Sequence, residues 1–288
     1  MSELYEIFFY PFIACVLLTG IHCYLGLHIL SRGVIFVDLS LAQMAALGSS
    51  VVLLFGYEPD SSTAYFGGLL FAFIGAAVFS ITRTKNEKIP HEAIIGIVYA
   101  VSSAAALLIL SNAMHGHEKI KAMLDGSILL TGKKDVLKIL FIYLGLGIFH
   151  FIFRRKFLLI SMDPAGARQC GMNIAFWDFL FYIAFGIVVT SSVQIAGILM
   201  VFSYLIIPAV CAMLFSDRVV PRLLIGWIIG VFTSAAGLIA SYYVTIGDVP
   251  GLPTGSAIVV AFGIVLVVLA VAKKTAGLFM RTGRHDSN

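Results

Sequence analysis

The sequence predicts an all-α integral membrane protein of about nine transmembrane helices (eight to ten), with one short re-entrant or interfacial segment and one short helix on the cytoplasmic face. Two observations carry this reading. Residues 66–81, 93–110, 187–215, 223–244 and 257–272 hold almost no charge, and a helix crosses a bilayer with about 20 mostly apolar residues. The 288 residues are 60% hydrophobic and only 12% charged, which is more apolar than one soluble core requires.

The spans are expected near 7–30, 34–56, 64–82, 92–111, 136–153, 177–192, 195–215, 222–245 and 254–272. Residues 120–131 are too short to cross, and Asp125 and Gly126 interrupt them. Nearly everything is embedded, so residues 1–288 read as a single transmembrane domain with a loop at about 154–176 and a flexible tail at about 273–288. The first residues carry no basic n-region or small-residue cleavage site, so the first apolar stretch reads as a retained span. The net charge of +4 reads as topology and gives no sign of nucleic-acid binding. Cys15, Cys23, Cys170 and Cys211 have no CxxC spacing and read as buried thiols.

Lys and Arg set the expected orientation. Arg83, Lys85 and Lys88, then Arg154, Arg155, Lys156 and Arg168, then Arg218 and Arg222, and then Lys273, Lys274, Arg281 and Arg284 mark the same side when the span number is odd. That side is the cytoplasm, with the N-terminus outside and the C-terminus inside. Lys119, Lys121, Lys133, Lys134 and Lys138 are discordant. Gly226 and Gly230 form a small-xxx-small face, which serves internal packing or a dimer seam.

Catalytic signatures are missing. The run from Gly126 to Lys134 has five residues where a phosphate-binding loop has four, and Lys134 stands where that loop needs Ser or Thr. His91-Glu92 and His117-Glu118 lack the second histidine of a zinc-protease helix, because Ile95 and Lys121 stand there. No enzyme is expected, and no cofactor bound by the chain.

Polar side chains inside spans are costly and mark pathways by default. Asp38 and Gln43, with Ser40 between them, are the first candidates for a substrate pathway, and His22 is another. At helical rise Asp38 lies about 9 Å past Arg32, deep enough to need a partner or a water-filled cavity. The alternative for each is a side chain satisfied by a neighbouring helix. His115, His117 and Glu118 form either an outer-mouth metal site or a solvated loop. In the loop at 154–176, Asp163 can cap a helix begun by Pro164, residues 165–170 continue it, and Gly171 stops it. Such an element suits docking of a soluble partner.

Five motifs in order then give a family resemblance spanning about residues 18–272. They are Ser31-Arg32-Gly33 with the second span to Gln43; His91-Glu92 with Gly96-Ile97; Asp163-Pro164-Ala165-Gly166-Ala167-Arg168 to Gly171 and Asn173; Gln194 to Pro208-Ala209; and Asp248 to Gly255. The chain resembles the permease subunits of bacterial ABC transporters for zinc and manganese, the ABC-3 family. The resemblance implies a plasma (inner) membrane homodimer that imports a divalent cation by alternating access. It implies a separate soluble ATPase subunit, which binds the ATP, and an extracytoplasmic substrate-binding protein; the remaining contacts are with membrane lipid. It makes Asp163, Pro164, Ala165, Ala167, Arg168, Gly171 and Asn173 the segment coupled to the ATPase, and Glu92 a family-matching acidic position.

The second span departs from the family pattern. Counted from Arg32, the family's Gly, Asp and His fall on Asp38, Leu39 and Gln43. Asp38 and Gln43 diverge by about 140° and offer hard oxygen donors, which suit manganese or iron better than zinc. Asp38 is the expected metal contact. Zinc with weak channel contacts, a non-metal substrate, a stand-alone ion-coupled secondary transporter and a non-transport scaffold protein of the membrane are the competing readings.

Overall fold

The computed structural model describes residues 2–58, 61–83, 89–111, 123–126, 128–244 and 252–282, with side chains from residue 7 to residue 275. Its helices are α1 (Ser2–Arg32), α2 (Val37–Leu53), α3 (Ser62–Thr82), α4 (His91–Ser111), α5 (Lys133–Ile152), α6 (Arg154–Met162), α7 (Pro164–Gln169), α8 (Ile174–Phe215), α9 (Val219–Tyr243) and α10 (Thr254–Thr282). A single 3₁₀ turn, Ile128–Leu130, precedes α5, and no strand occurs among the described residues. With every span helical, backbone N–H and C=O groups are satisfied within their own segment, as lipid demands.

Seven of these helices are long and apolar enough to cross a membrane, and α2 is a shorter apolar one. One of the seven, α8, is 42 residues long. As one rod it would extend about 63 Å, twice a bilayer core. It breaks instead at Gly197, whose φ is 74° and ψ 165°. Before the break, Asp178 lies against Arg32 near the end of α1 and Ser192 against His22 in its middle. Beyond it, Leu205 and Ala209 return to Gly26. The chain therefore reverses at Gly197, and α8 is two antiparallel arms. With these two arms and the short α2, the helices match all nine expected spans.

The core centres on α8. Tyr182, Phe181 and Phe185 of its first arm and Tyr204 of its second are fully buried, and Tyr204 bonds the Ser234 hydroxyl of α9 at 2.6 Å. Gly226 and Gly230 serve packing inside the chain: a Cβ on Gly226 would meet Cys23 and the Pro208 carbonyl, and one on Gly230 would meet Thr19. Cys15, Cys23 and Cys211 are buried free thiols, whereas Cys170 is exposed, because it ends a short surface helix and faces away from the core.

The described part of the segment at 120–131 does not cross. Gly126, with φ +68°, sets its backbone against Ala196 and Gly197. The Asp125 carboxylate accepts a bond from Ser256 Oγ at 3.2 Å. The segment is thus tucked between the α8 reversal and the start of α10. A Cβ on Gly197 would lie 2.6 Å from the Asp125 carbonyl carbon, and a positive φ with extended ψ, essentially a glycine conformation, adds about 1–3 kcal/mol of strain for any other residue. Gly197→Ala is therefore expected to lower the thermal unfolding midpoint in detergent. Gly263→Ala, at a position with nothing within 4 Å, is expected to leave it unchanged or raise it; equal midpoints for the two variants would contradict the account of the turn.

Candidate functional site

The helix α1 stops at a glycine turn. Gly33 has φ +67°, and Val34 N–H bonds back to the Ile29 carbonyl at 3.3 Å, a capping arrangement that needs the left-handed conformation. Residues 33–36 are therefore not helical, and Asp38 stands in the first turn of α2. This corrects the depth expected from helical rise: Asp38 lies near the helix end. Acidic Glu92, in the first turn of α4, accepts the Phe36 backbone N–H at 2.9 Å and pins the start of α2.

The helix α2 is enclosed by α3, α4 and α8, and Asp38, Ser40 and Gln43 are all buried. Asp38 Oδ1, Ser40 Oγ, Gln43 Oε1 and Glu92 Oε2 have no hydrogen-bond partner among the described residues. Unpaired oxygens this deep cost about 1–3 kcal/mol each, so a helix that carries them keeps donors for something other than its neighbours. They are not gathered into one cage: no group of three or more His, Cys, Asp or Glu able to hold a metal occurs among the described residues.

The imidazole of His22 is different. Its Nδ1 bonds the Leu18 carbonyl at 2.9 Å and its Nε2 lies 3.2 Å from Ser192 Oγ. A carbonyl only accepts, so Nδ1 carries the proton and Nε2 is the acceptor. Tyr143 bonds the same serine at 2.6 Å. His22 Nδ1 is thus satisfied within its own helix, whereas the Ser192 hydroxyl gives its proton to the Val188 carbonyl at 2.6 Å, so Nε2 has only a contact with that oxygen. The candidates His115, His117 and Glu118 lie outside the described residues.

The segment from Asp163 to Asn173 folds as its sequence suggests, but residues 154–162, expected as loop, form the helix α6 with Phe157 and Ile160 buried. The carboxylate of Asp163 accepts the Gly166 N–H at 2.8 Å, and Pro164 occupies the first turn. Gly171 is left-handed (φ +72°), and Met172 N–H reaches the Ala167 carbonyl at 3.1 Å. Asn173 then caps α8 by accepting the Phe176 N–H at 3.1 Å. Ala167 is buried and anchors α7, while Asp163, Ala165, Arg168, Gly171 and Asn173 face outward.

Comparison with known proteins extends these observations. The family model described as the ABC 3 transport family matches residues 4–273. The chain belongs to the ABC 3 transport family. It is 26% identical over 253 residues to the manganese transport system membrane protein MntC of Listeria innocua, covering 85% of this chain and 87% of that one. It is 26% identical over 227 residues to the chelated iron transport system membrane protein YfeC of Yersinia pestis, covering 78% and 75%. In fold it is similar to PsaBC from Streptococcus pneumoniae in complex with Fab, with a TM-score of 0.76, 19% identity and coverage of 93% and 92%.

In this ABC 3 chain, a buried charge cluster escaped the sequence reading. Asp178, on the first arm of α8, bonds Arg32 Nη1 through Oδ1 at 2.7 Å and Arg83 Nη1 through Oδ2 at 2.7 Å. The Arg32 and Asp178 side chains are 0% exposed and that of Arg83 14%. The partners are 146 and 95 residues from Asp178, beyond any local pattern; the available signal was an acidic residue beside an apolar run with no neighbouring base. Beside the cluster, His28 Nδ1 lies 2.8 Å from Ser161 Oγ, and the Tyr24 hydroxyl 3.4 Å from His150 Nδ1. Removing Asp178 leaves two guanidinium groups facing each other in a dry interior, which costs about 3–5 kcal/mol. Asp178→Ala is expected to unfold at a markedly lower temperature in detergent, and a wild-type midpoint would contradict the burial of the cluster.

Proposed function

We propose that this chain is the membrane-spanning permease subunit of an ABC importer for a divalent metal ion, working as a homodimer in the plasma membrane. Its energy comes from a separate soluble ATPase, which binds the ATP, and its substrate from an extracytoplasmic binding protein. The N-terminus lies outside and the C-terminus in the cytoplasm. The end that carries Arg32, Arg83, Arg154–Lys156, Arg218 and Arg222 then faces the cytoplasm, in agreement with the positive-inside rule, and α7 stands at that face.

The observation that carries the substrate assignment is the set of buried oxygens without partners on α2 and at its start. Carboxylate, amide and hydroxyl oxygens are hard donors suited to Mn²⁺ or Fe²⁺, while zinc favours imidazole and thiolate. The relatives named above for manganese and chelated iron support the same class. Because the donors are spread along α2, a cation would pass them in sequence, consistent with conduction through weak successive contacts. Asp38 carries the only charge on the helix itself, so it is the position at which a dication gains most.

The test is ATP-dependent uptake of Mn²⁺, Fe²⁺ and Zn²⁺ by the permease reconstituted with its ATPase and binding protein. Wild type is expected to accumulate Mn²⁺ or Fe²⁺, and Asp38→Asn to lose at least about 10-fold of that rate, the effect of about 1.4 kcal/mol at the barrier. Wild-type uptake rates in Asp38→Asn would remove Asp38 from the pathway. ATP turnover with no metal uptake in wild type would point to a different substrate.

A further inference from the structure

The ends of α1, α3, α6 and the first arm of α8 meet at the buried charge cluster, which stands between the capped helix α7 and the start of α2. Each charge suits its helix end. Arg32 is in the last turn of α1 and Arg83 caps the end of α3, where the helix dipole is negative, while Asp178 is near the positive N-terminus of α8. Ser161 lies two residues before Asp163, the cap of α7.

Three contacts fix the guanidinium of Arg32. Its Nε donates to Ser161 Oγ at 2.9 Å, its Nη1 donates to Asp178 Oδ1 at 2.7 Å, and its Cζ lies 3.9 Å from the centre of the Phe181 ring. Only the turn at 33–36 separates Arg32 from α2, and that turn is itself pinned to α4 through Phe36 N–H and Glu92. A chain of short bonds therefore runs from the root of α7, through Ser161 and Arg32, into the helix that bears Asp38. A planar fork bonded at two edges and stacked on a third face cannot turn without breaking a bond in a low-dielectric interior. It therefore moves with both elements.

We infer that Arg32 is a positioning residue of the transport cycle, the link that delivers displacement of α6 and α7 to α2, with Ser161 and Asp178 as the contacts that hold it. This rests on the permease reading, because it takes α7 as the element on which the ATPase acts. A purely structural anchor would change the amount of folded protein and reduce uptake and hydrolysis together. A link changes how much metal moves per ATP.

The experiment measures Mn²⁺ accumulated per ATP hydrolysed in vesicles that hold the complete complex, for wild type, Ser161→Ala and Arg32→Lys. Ser161→Ala removes one hydroxyl, and with it the bonds to Arg32 Nε and His28 Nδ1, and leaves the ion pairs. Arg32→Lys keeps the charge on Asp178 but loses the fork that reaches Ser161 at the same time. Both are expected to insert in wild-type amounts and to hydrolyse ATP, while Mn²⁺ moved per ATP falls about three- to ten-fold, the worth of the one hydrogen bond between Arg32 and Ser161 that both variants lose. An inserted variant with the wild-type ratio, or uptake and hydrolysis reduced in equal proportion, would overturn the link. A wild-type complex that hydrolyses ATP without moving Mn²⁺, Fe²⁺ or Zn²⁺ would overturn the parent reading, and this one with it.

Discussion

A fully buried carboxylate held between two arginines constrains the basic end of this molecule. The Asp178 carboxylate is tolerable inside a helix bundle only because Arg32 and Arg83 each give it a bond of 2.7 Å. Those arginines come from the ends of α1 and α3, so the carboxylate dictates where both helices stop relative to α8. Ser161 extends the same constraint to α6 and hence to α7. One charge thereby fixes the relative position of four helix ends, at the face where a soluble partner would dock.

The opposite end is ordered by backbone contact. Gly126, Gly197 and Gly255 bring three chain segments closer than any side chain would allow, and this lets α8 reverse without a long loop. Between the two ends lies α2, whose 17 residues extend about 25 Å, held on all sides and carrying oxygens that its neighbours do not satisfy. Helices rigidly tied at one end and turned tightly at the other suit movement as bodies, with bonds kept inside each body. Alternating access asks for motion of this kind.

Much of this was legible in the sequence. The nine expected segments follow from runs of apolar residues, because a crossing helix needs about 20 of them. Asp163, Pro164 and Gly171 announce α7, because capping chemistry is local. The reading failed where the answer depends on distant residues or on a turn. Asp38 was placed too deep because the glycine turn at 33–36 interrupts the helical rise. The choice for His22 between pathway group and packing side chain turns on Ser192, 170 residues away and 3.2 Å from its Nε2. Asp178 drew no notice because nothing near it in the chain reveals the two arginines. Capping and hydropathy are encoded within a few residues, whereas satisfaction of a buried charge is encoded in the fold.

The central claim is that this chain converts ATP-driven motion of a partner into metal movement, with no ion gradient involved. The most direct measurement is metal accumulation in vesicles after proton and sodium gradients have been collapsed with ionophores, with and without the ATPase subunit. Accumulation that survives the ionophores and requires both the ATPase and ATP is the predicted result. Accumulation by the chain alone, abolished when the gradients collapse, would contradict it and make the protein an ion-coupled carrier.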